Sequence, residues 1–285
     1  MKRPRDMGAG NAQTVSPAIE FDKISKSFNT AGTRGRIMAV QDVSFTVEPS
    51  EFVALLGPSG CGKTTILRMV DGLIQSDVGR LEVFGAPPKP GPKIGVVFQN
   101  FRLIPWATVQ ANVEFGLKSI ALTAPERLER VHYHLELVGL SGFRNAYPRE
   151  LSGGMKQRVA LARALATAPD ILLMDEPFAS IDAQTRELMQ VELMRIWTDR
   201  RPVVIFVTHS VDEAIILADR ILLLRPRPGQ VVETVKVALE RPRWTYDVRA
   251  EPEFIELRRY LSQRMRELVL SDPSSEFFGR DLAAF

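Results

Sequence analysis

The feature that most restricts how this chain can fold is a junction. The apolar run Phe52 to Leu56 passes directly into Gly57-Pro58-Ser59-Gly60-Cys61-Gly62-Lys63-Thr64-Thr65. This is the pattern G-x-x-x-x-G-K-[ST] in the strand, loop and helix setting that the pattern requires. The glycines leave backbone N–H groups free to wrap phosphate oxygens. Lys63 can reach the β and γ oxygens, and the Thr64 hydroxyl can ligate Mg²⁺ at a positive helix N-terminus. A chain built around such a junction needs a buried strand and a helix behind it, which points to an α/β architecture.

The rest of the chain agrees with that frame. Phe52 to Leu56, Ile94 to Phe98, Ile171 to Met174, Val203 to Val207 and Ile221 to Leu224 are short unbroken apolar runs, as expected of strands covered on both faces. Helical stretches, including Lys63 to Asp71, Met155 to Ala166 and Ala183 to Trp197, lie between them, so the order reads as βαβ units with a parallel sheet. Val43, Phe45 and Val47 alternate with Ser44 and Thr46, which is the period of a half-buried, antiparallel strand. Residues 107 to 169 contain no strand-like run and read as wholly helical, broken at Pro125 and Pro148. This predicts a helical subdomain inserted into the sheet domain. Past Lys236 the composition shifts, and Phe254, Leu257, Leu261, Met265 and Leu268 form one stripe of an amphipathic helix. That stripe predicts packing on the main domain, with a partner-binding role as the alternative.

Two further motifs carry chemistry. Ile171-Leu172-Leu173-Met174-Asp175-Glu176-Pro177 puts two carboxylates at the end of a buried strand. Asp175 is suited to hold Mg²⁺ and Glu176 to polarise an attacking water. Capping of a helix is the structural alternative. A kinase that transfers to a substrate hydroxyl has no need of Glu176 here, so water is favoured as the acceptor. Leu151-Ser152-Gly153-Gly154-Met155-Lys156-Gln157-Arg158 then places Ser152 and two glycines before a helix, which makes a second anion site out of free N–H groups and a helix dipole. An ordinary N-cap by Ser152 would look the same. One nucleotide has no obvious use for two phosphate cradles.

On these motifs residues 18 to 235 resemble the ATP-binding subunits of ABC transporters, in which this signature in one subunit covers the nucleotide held by the phosphate loop of the other. The resemblance implies a P-loop NTPase sheet domain with an inserted helical subdomain, about residues 100–169, and a small antiparallel β part. A disordered tail over 1–17 and a C-terminal helical extension over 236–285 flank it. The nucleotide would be ATP with Mg²⁺, held by Phe28, Gly57 to Thr65 and Gln99 and, in a homodimer, by Ser152, Gly153 and Gly154. Thr64, Gln99 and Asp175 would serve the metal. Lys63, Gln99, Glu176 and His209 would be catalytic, with Gln99 sensing the metal and the attacking water and His209 touching the γ-phosphate. Taken alone, His209 reads as a core or capping histidine and Phe28 as a core residue; only their order among the other motifs lifts them. Ser180-Ile181-Asp182 resembles the loop that crosses the dimer interface, where Ala-Leu-Asp is the usual form. Leu103 to Val109 and His209 to Ile215 are similar to the nitrate, sulfonate and taurine importer ATPases of bacteria. That similarity implies integral membrane permease subunits as partners, a periplasmic or lipid-anchored solute-binding protein acting indirectly, and a peripheral place on the cytoplasmic face of the inner membrane.

Composition removes several rivals. At 285 residues, 45% hydrophobic and 25% charged, the chain is too apolar for intrinsic disorder. Its single cysteine, Cys61, excludes an intramolecular disulfide. No apolar run approaches the roughly 20 residues of a membrane span. The 37 Lys and Arg against 34 Asp and Glu leave a formal charge of +3, with no basic run interleaved with aromatics, so nucleic acid is not an expected partner. His132 and His134 face different sides of a helix and do not make a metal pair. The alternatives that stay open are an ATPase of another small-solute importer and a soluble ABC ATPase acting in DNA repair or translation. The stretch between Lys63 and Ser152 has no heptad run, which disfavours the latter. Two local expectations complete the reading. Cys61, at a helix N-terminus beside Lys63, is expected to favour a thiolate whose labelling by maleimide inhibits hydrolysis and is slowed by ATP, the alternative being a small residue tolerated by the loop. The apolar bulk of Phe101, Leu103, Ile104 and Trp106 is expected either to fold onto the helical subdomain or to receive a short helix of the membrane subunit.

Overall fold

A computed structural model describes residues 16–29 and 35–280. The tail expected over 1–17 lies outside the described residues apart from its last two positions. In chain order the elements are β1 (Ile19–Asn29), β2 (Arg36–Val47), β3 (Phe52–Leu56), α1 (Lys63–Val70), β4 (Val78–Val83), β5 (Ile94–Val97), α2 (Val109–Gly116), α3 (Ala124–Leu137), α4 (Gly153–Ala166), β6 (Ile171–Asp175), α5 (Ala183–Arg200), β7 (Val203–Thr208), α6 (Val211–Leu217), β8 (Arg220–Arg225), β9 (Gln230–Lys236) and α7 (Pro252–Leu270).

Among the described residues two sheets form, one of six strands in the order β5-β6-β7-β3-β8-β9 and one of three in the order β2-β1-β4. The first five strands of the larger sheet are parallel, and β9 closes its edge antiparallel to β8. The smaller sheet is antiparallel throughout. The unbroken apolar runs have a simple cause. Phe52, Ala54 and Leu56 of β3 enter one core with the helices, while Val53 and Leu55 enter a second core with α1 and the small sheet. A strand buried on both faces needs apolar side chains at every position, because alternate residues point to opposite sides. β6 and β7 divide in the same way, with Leu172, Met174, Val204 and Phe206 on one face and Ile171, Leu173, Val203 and Ile205 on the other.

Between β5 and β6 the described residues form α2, α3 and α4 with connecting loops and no strand, so residues 107 to 169 are strand-free as expected but not wholly helical. Pro125 stands at the first turn of α3 behind a Thr123–Glu126 capping box, and Pro148 opens a single 3-10 turn. Both prolines occupy helix starts, where a missing N–H costs nothing. The apolar stripe of α7 turns inward, with Phe254, Leu261 and Leu268 buried and Leu257 and Met265 packed against the same core. A buried guanidinium anchors the chain leading to α7. Arg243 Nη1 donates to the carbonyls of Ile215, Ile216 and Ala218 at 2.9, 3.1 and 2.7 Å, closing the C-terminal end of α6. Burial pushes the Arg243 pKa down to about 10, and three carbonyl acceptors offset much of that desolvation. No helix among the described residues is long and apolar enough to cross a membrane.

Candidate functional site

The C-terminal ends of the parallel strands β3, β5, β6 and β7 open into a cleft of ≈ 1170 Å³, lined by residues from Ser59 to Thr65 together with Phe28, Gln99, Glu176, His209 and Arg227. Ligands of open parallel sheets bind at this end, because the loops and helix N-termini there present unpaired N–H groups. The phosphate loop follows directly on β3. Gly62 is the N-cap of α1 with φ +85, and a Cβ there would meet Val40 Cγ1 at 2.4 Å. Only glycine fits both the left-handed backbone and that space. The buried Lys63 ammonium donates to the carbonyls of Gly57 at 2.7 Å and Pro58 at 3.1 Å. A cation is thereby held against the phosphate loop by two of its carbonyls.

The paired carboxylates behave differently from one another. Asp175 is the last residue of β6 and is buried. Its Oδ2 accepts from the Thr64 hydroxyl at 2.8 Å, whereas its buried Oδ1 has no hydrogen-bond partner. Burial raises the Asp175 carboxyl pKa, opposed by the Thr64 bond and the Lys63 charge. A buried carboxylate oxygen without a donor is costly, and a hydrated divalent cation would satisfy it. The donor set, one carboxylate and one hydroxyl beside a phosphate cradle, matches the oxygen preference of Mg²⁺.

Glu176 is turned the other way, into the cleft. Its φ of 50 lies in the left-handed region, which costs a non-glycine residue free energy and is common at functional sites. The surroundings hold it there. The Glu176 N–H donates to the Val207 carbonyl at 3.0 Å, and its own carbonyl accepts from Gln157 Nε2 at 2.8 Å. Each carboxylate oxygen is then met separately, Oε2 by Gln99 Nε2 at 3.3 Å and Oε1 by His209 Nε2 at 2.7 Å. Gln99, Glu176 and His209 therefore converge from three different loops. Phe28, on β1, is 41% exposed beside Ile37 of β2 and lines the same cleft.

Ser152, Gly153 and Gly154 do not join the cleft. They lie at the N-terminus of α4, where the Ser152 hydroxyl accepts from the Met155 N–H at 3.2 Å, and Ser152 and Gly153 are exposed. The signature is nevertheless wired to Glu176 through Gln157, whose Oε1 accepts from the Ser180 N–H at 3.1 Å while its Nε2 holds the Glu176 carbonyl. Gln157 is part of the signature run, yet spacing alone assigned it no role. Asp182 caps α5 by accepting from the Thr185 N–H at 3.0 Å.

One expectation is corrected. Cys61 is 0% exposed and its side chain is packed into the core beneath the loop. Burial raises its thiol pKa, outweighing the lowering by Lys63, whose Nζ is 3.5 Å from Sγ. Only the Cys61 backbone serves the cleft. Maleimide is therefore expected to label the native protein roughly a hundredfold or more slower than the protein in guanidinium, since reaction must wait for local opening. Rapid native labelling that ATP slows would restore the exposed thiolate.

Comparison with known proteins bears on what such a cleft does. The family model for the ABC transporter domain matches residues 40–179. The chain is 46% identical over 253 residues, 88% of its own length and 92% of the relative's, to an uncharacterised ABC transporter ATP-binding protein of Methanocaldococcus jannaschii. It is 41% identical to the nitrate import ATP-binding protein NrtD of Synechococcus elongatus, covering 87% of this chain and 91% of that one. It is 40% identical to the taurine import ATP-binding protein TauB of Escherichia coli, covering 80% and 92%. A solved dimeric ATP-binding cassette in a post-hydrolysis state, bound to ADP and Pi, superposes with a TM-score of 0.71 at 31% identity, covering 78% of this chain and all of that one.

Proposed function

The chain belongs to the ABC transporter family of ATP-binding proteins, and from that premise we propose that it is the ATP-hydrolysing motor of an importer for a small anion such as nitrate, a sulfonate or taurine. The observation that carries the reading is the pair of anion cradles on separate surfaces, one inside the cleft at Lys63 and one at Ser152 to Gly154, where Ser152 and Gly153 are exposed. A second copy of the chain is the natural complement, its signature laid over this phosphate loop and the reverse. The ATPase domain over 18–235, the helical subdomain about 100–169 and the extension from 236 are parts of the same proposal.

In this reading the backbone of Gly57 to Thr65 and the Lys63 ammonium bind the phosphates, and Phe28 offers its ring to the adenine. Asp175, Thr64 and Gln99 would hold Mg²⁺, which would supply charge neutralisation at the β and γ oxygens. Glu176 takes a proton from the attacking water. Gln99 and His209, each on one of its oxygens, fix the direction in which that carboxylate accepts. ATP closes the dimer only to the extent that it binds the closed pair more tightly, because the signature engages nucleotide only there.

The membrane permease subunits would dock on the helical subdomain, which holds the chain at the cytoplasmic face of the membrane, with the solute-binding protein acting through the permease. Trp106 is 81% exposed and lines a groove with Ile104, Ala107, Ala111 and Phe115. Exposed aromatics of this kind anchor interfaces. Asn112 stiffens the groove by donating to the carbonyls of Ile104 and Ala107 and accepting from the Ile104 N–H. Trp106→Ala is expected to abolish anion uptake by the reconstituted transporter while the isolated subunit keeps its ATPase within a few-fold, since a hot-spot loss costs about 2 kcal/mol or more. Normal uptake by this variant, with the fold intact in a thermal melt, would contradict the docking.

A further inference from the structure

The cleft contains a cation that the phosphate-loop pattern does not announce. Arg227 sits in the turn between β8 and β9, and that turn is pressed onto the phosphate loop. The Gly229 N–H donates to the Ala39 carbonyl at 3.0 Å, and the Gly229 carbonyl accepts from the Gln41 N–H at 2.9 Å. A Cβ on Gly229 would stand 2.2 Å from the Cys61 carbonyl oxygen, so only glycine lets the two backbones approach so closely. Pro226 and Pro228 stiffen the turn on either side. The Arg227 guanidinium is thereby carried over Gly60, with Nε 3.7 Å and Nη2 3.8 Å from where a Cβ of Gly60 would stand.

Arg227 also belongs to a second hollow. That hollow is formed by Pro58 and Ser59 of the phosphate loop on one side and Asp272, Ser274, Ser275 and Glu276, past the end of α7, on the other. Asp272 accepts from the Ser274 N–H at 3.0 Å and its hydroxyl at 2.8 Å. The bond from the Ser274 N–H is the main reason its carboxyl is held low, and the Arg227 charge adds to it. Arg227 thus lines both the hollow that holds Asp272 and Glu276 and the cleft of the phosphate loop. A guanidinium offers several donors in a planar fork suited to phosphate oxygens.

We propose that Arg227 is a second phosphate-binding cation of the nucleotide cleft, and that Asp272 of the C-terminal segment competes with the nucleotide for it. The proposal rests on the reading of the cleft as an ATP site. It gives the extension after α7 a function, which is to tune nucleotide affinity from outside the cleft. Arg227 is no part of the hydrolytic step, so its removal acts on binding rather than turnover.

The test is equilibrium binding of a fluorescent N-methylanthraniloyl ATP with Mg²⁺ to the full chain, alongside steady-state ATPase. Arg227→Gln is expected to raise Kd and KM roughly tenfold while kcat stays within about twofold, as for loss of a hydrogen bond to a charged group. The effect should shrink as salt rises. Asp272→Asn is expected to tighten binding roughly threefold, the scale of a weak charge interaction near the surface, and to do nothing in the Arg227→Gln background. Thermal melts establish that each variant is folded. Wild-type affinity in folded Arg227→Gln, or an equal effect of Asp272→Asn in both backgrounds, overturns the proposal and leaves the ATPase reading standing. A wild-type chain that binds no nucleotide overturns both.

Discussion

Glu176→Gln is expected to lower ATP turnover by roughly a hundred- to ten-thousandfold, the range that a positioned general base contributes, while nucleotide affinity stays near wild type. Binding and proton transfer fall to different groups in the cleft. The phosphate loop, Lys63 and Asp175 are untouched, and an amide keeps the volume and polarity of the carboxylate between Gln99 and His209. The backbone clamp from Gln157 and Val207 acts on main-chain atoms and survives the substitution. What is lost is the capacity to accept a proton. Single-turnover hydrolysis with radiolabelled ATP measures it, and turnover within a few-fold of wild type would remove Glu176 from the chemistry.

Gly153→Asp is expected to suppress hydrolysis strongly without loss of stability. A Cβ at Gly153 would find only Ser180 Cβ, at an ordinary 3.8 Å, so the side chain fits the single chain. A carboxylate in the first turn of α4 favours that helix by about 0.3–1 kcal/mol. The melting temperature should therefore hold or rise slightly. In the closed pair the same carboxylate would face the partner's nucleotide phosphates, and such like-charge juxtaposition costs several kcal/mol. Hydrolysis is expected to fall roughly a hundredfold or more, with ATP binding by the single chain unchanged. A variant that hydrolyses normally would show that the exposed signature has no part in the reaction.

Much of the fold was legible because burial on both faces leaves an unmistakable record. β3 is apolar throughout, β6 and β7 are apolar up to the Asp175 and Thr208 that end them, and the phosphate loop follows β3 without a gap. β1, β4 and β9 left a weaker trace. β1 alternates with interruptions at register shifts near Ile24, β4 is nowhere fully buried, and β9 lies at a sheet edge with every second residue exposed. Half-buried strands of this kind are specified by pairing and by their neighbours more than by their own composition. The candidate site was legible where chemistry demands a residue type, as at Lys63, Asp175 and Glu176. It was not legible where a role depends on which way a side chain turns. Cys61 looked activated from its neighbours in sequence, yet its thiol points into the core. The sequence marks Gln157 only as part of the signature and Arg227 not at all, and only tertiary approach puts one on the Glu176 carbonyl and the other over Gly60.

The central claim is that nucleotide is shared between two copies of this chain, and the molar mass of the Glu176→Gln protein in Mg·ATP tests it most directly. Light scattering coupled to size exclusion should report twice the 31.9 kDa chain mass with ATP and the single chain mass with ADP. Adding Gly153→Asp to that protein should leave ATP bound and return the mass to that of one chain. A Glu176→Gln protein saturated with ATP that still elutes at the single chain mass would contradict the account.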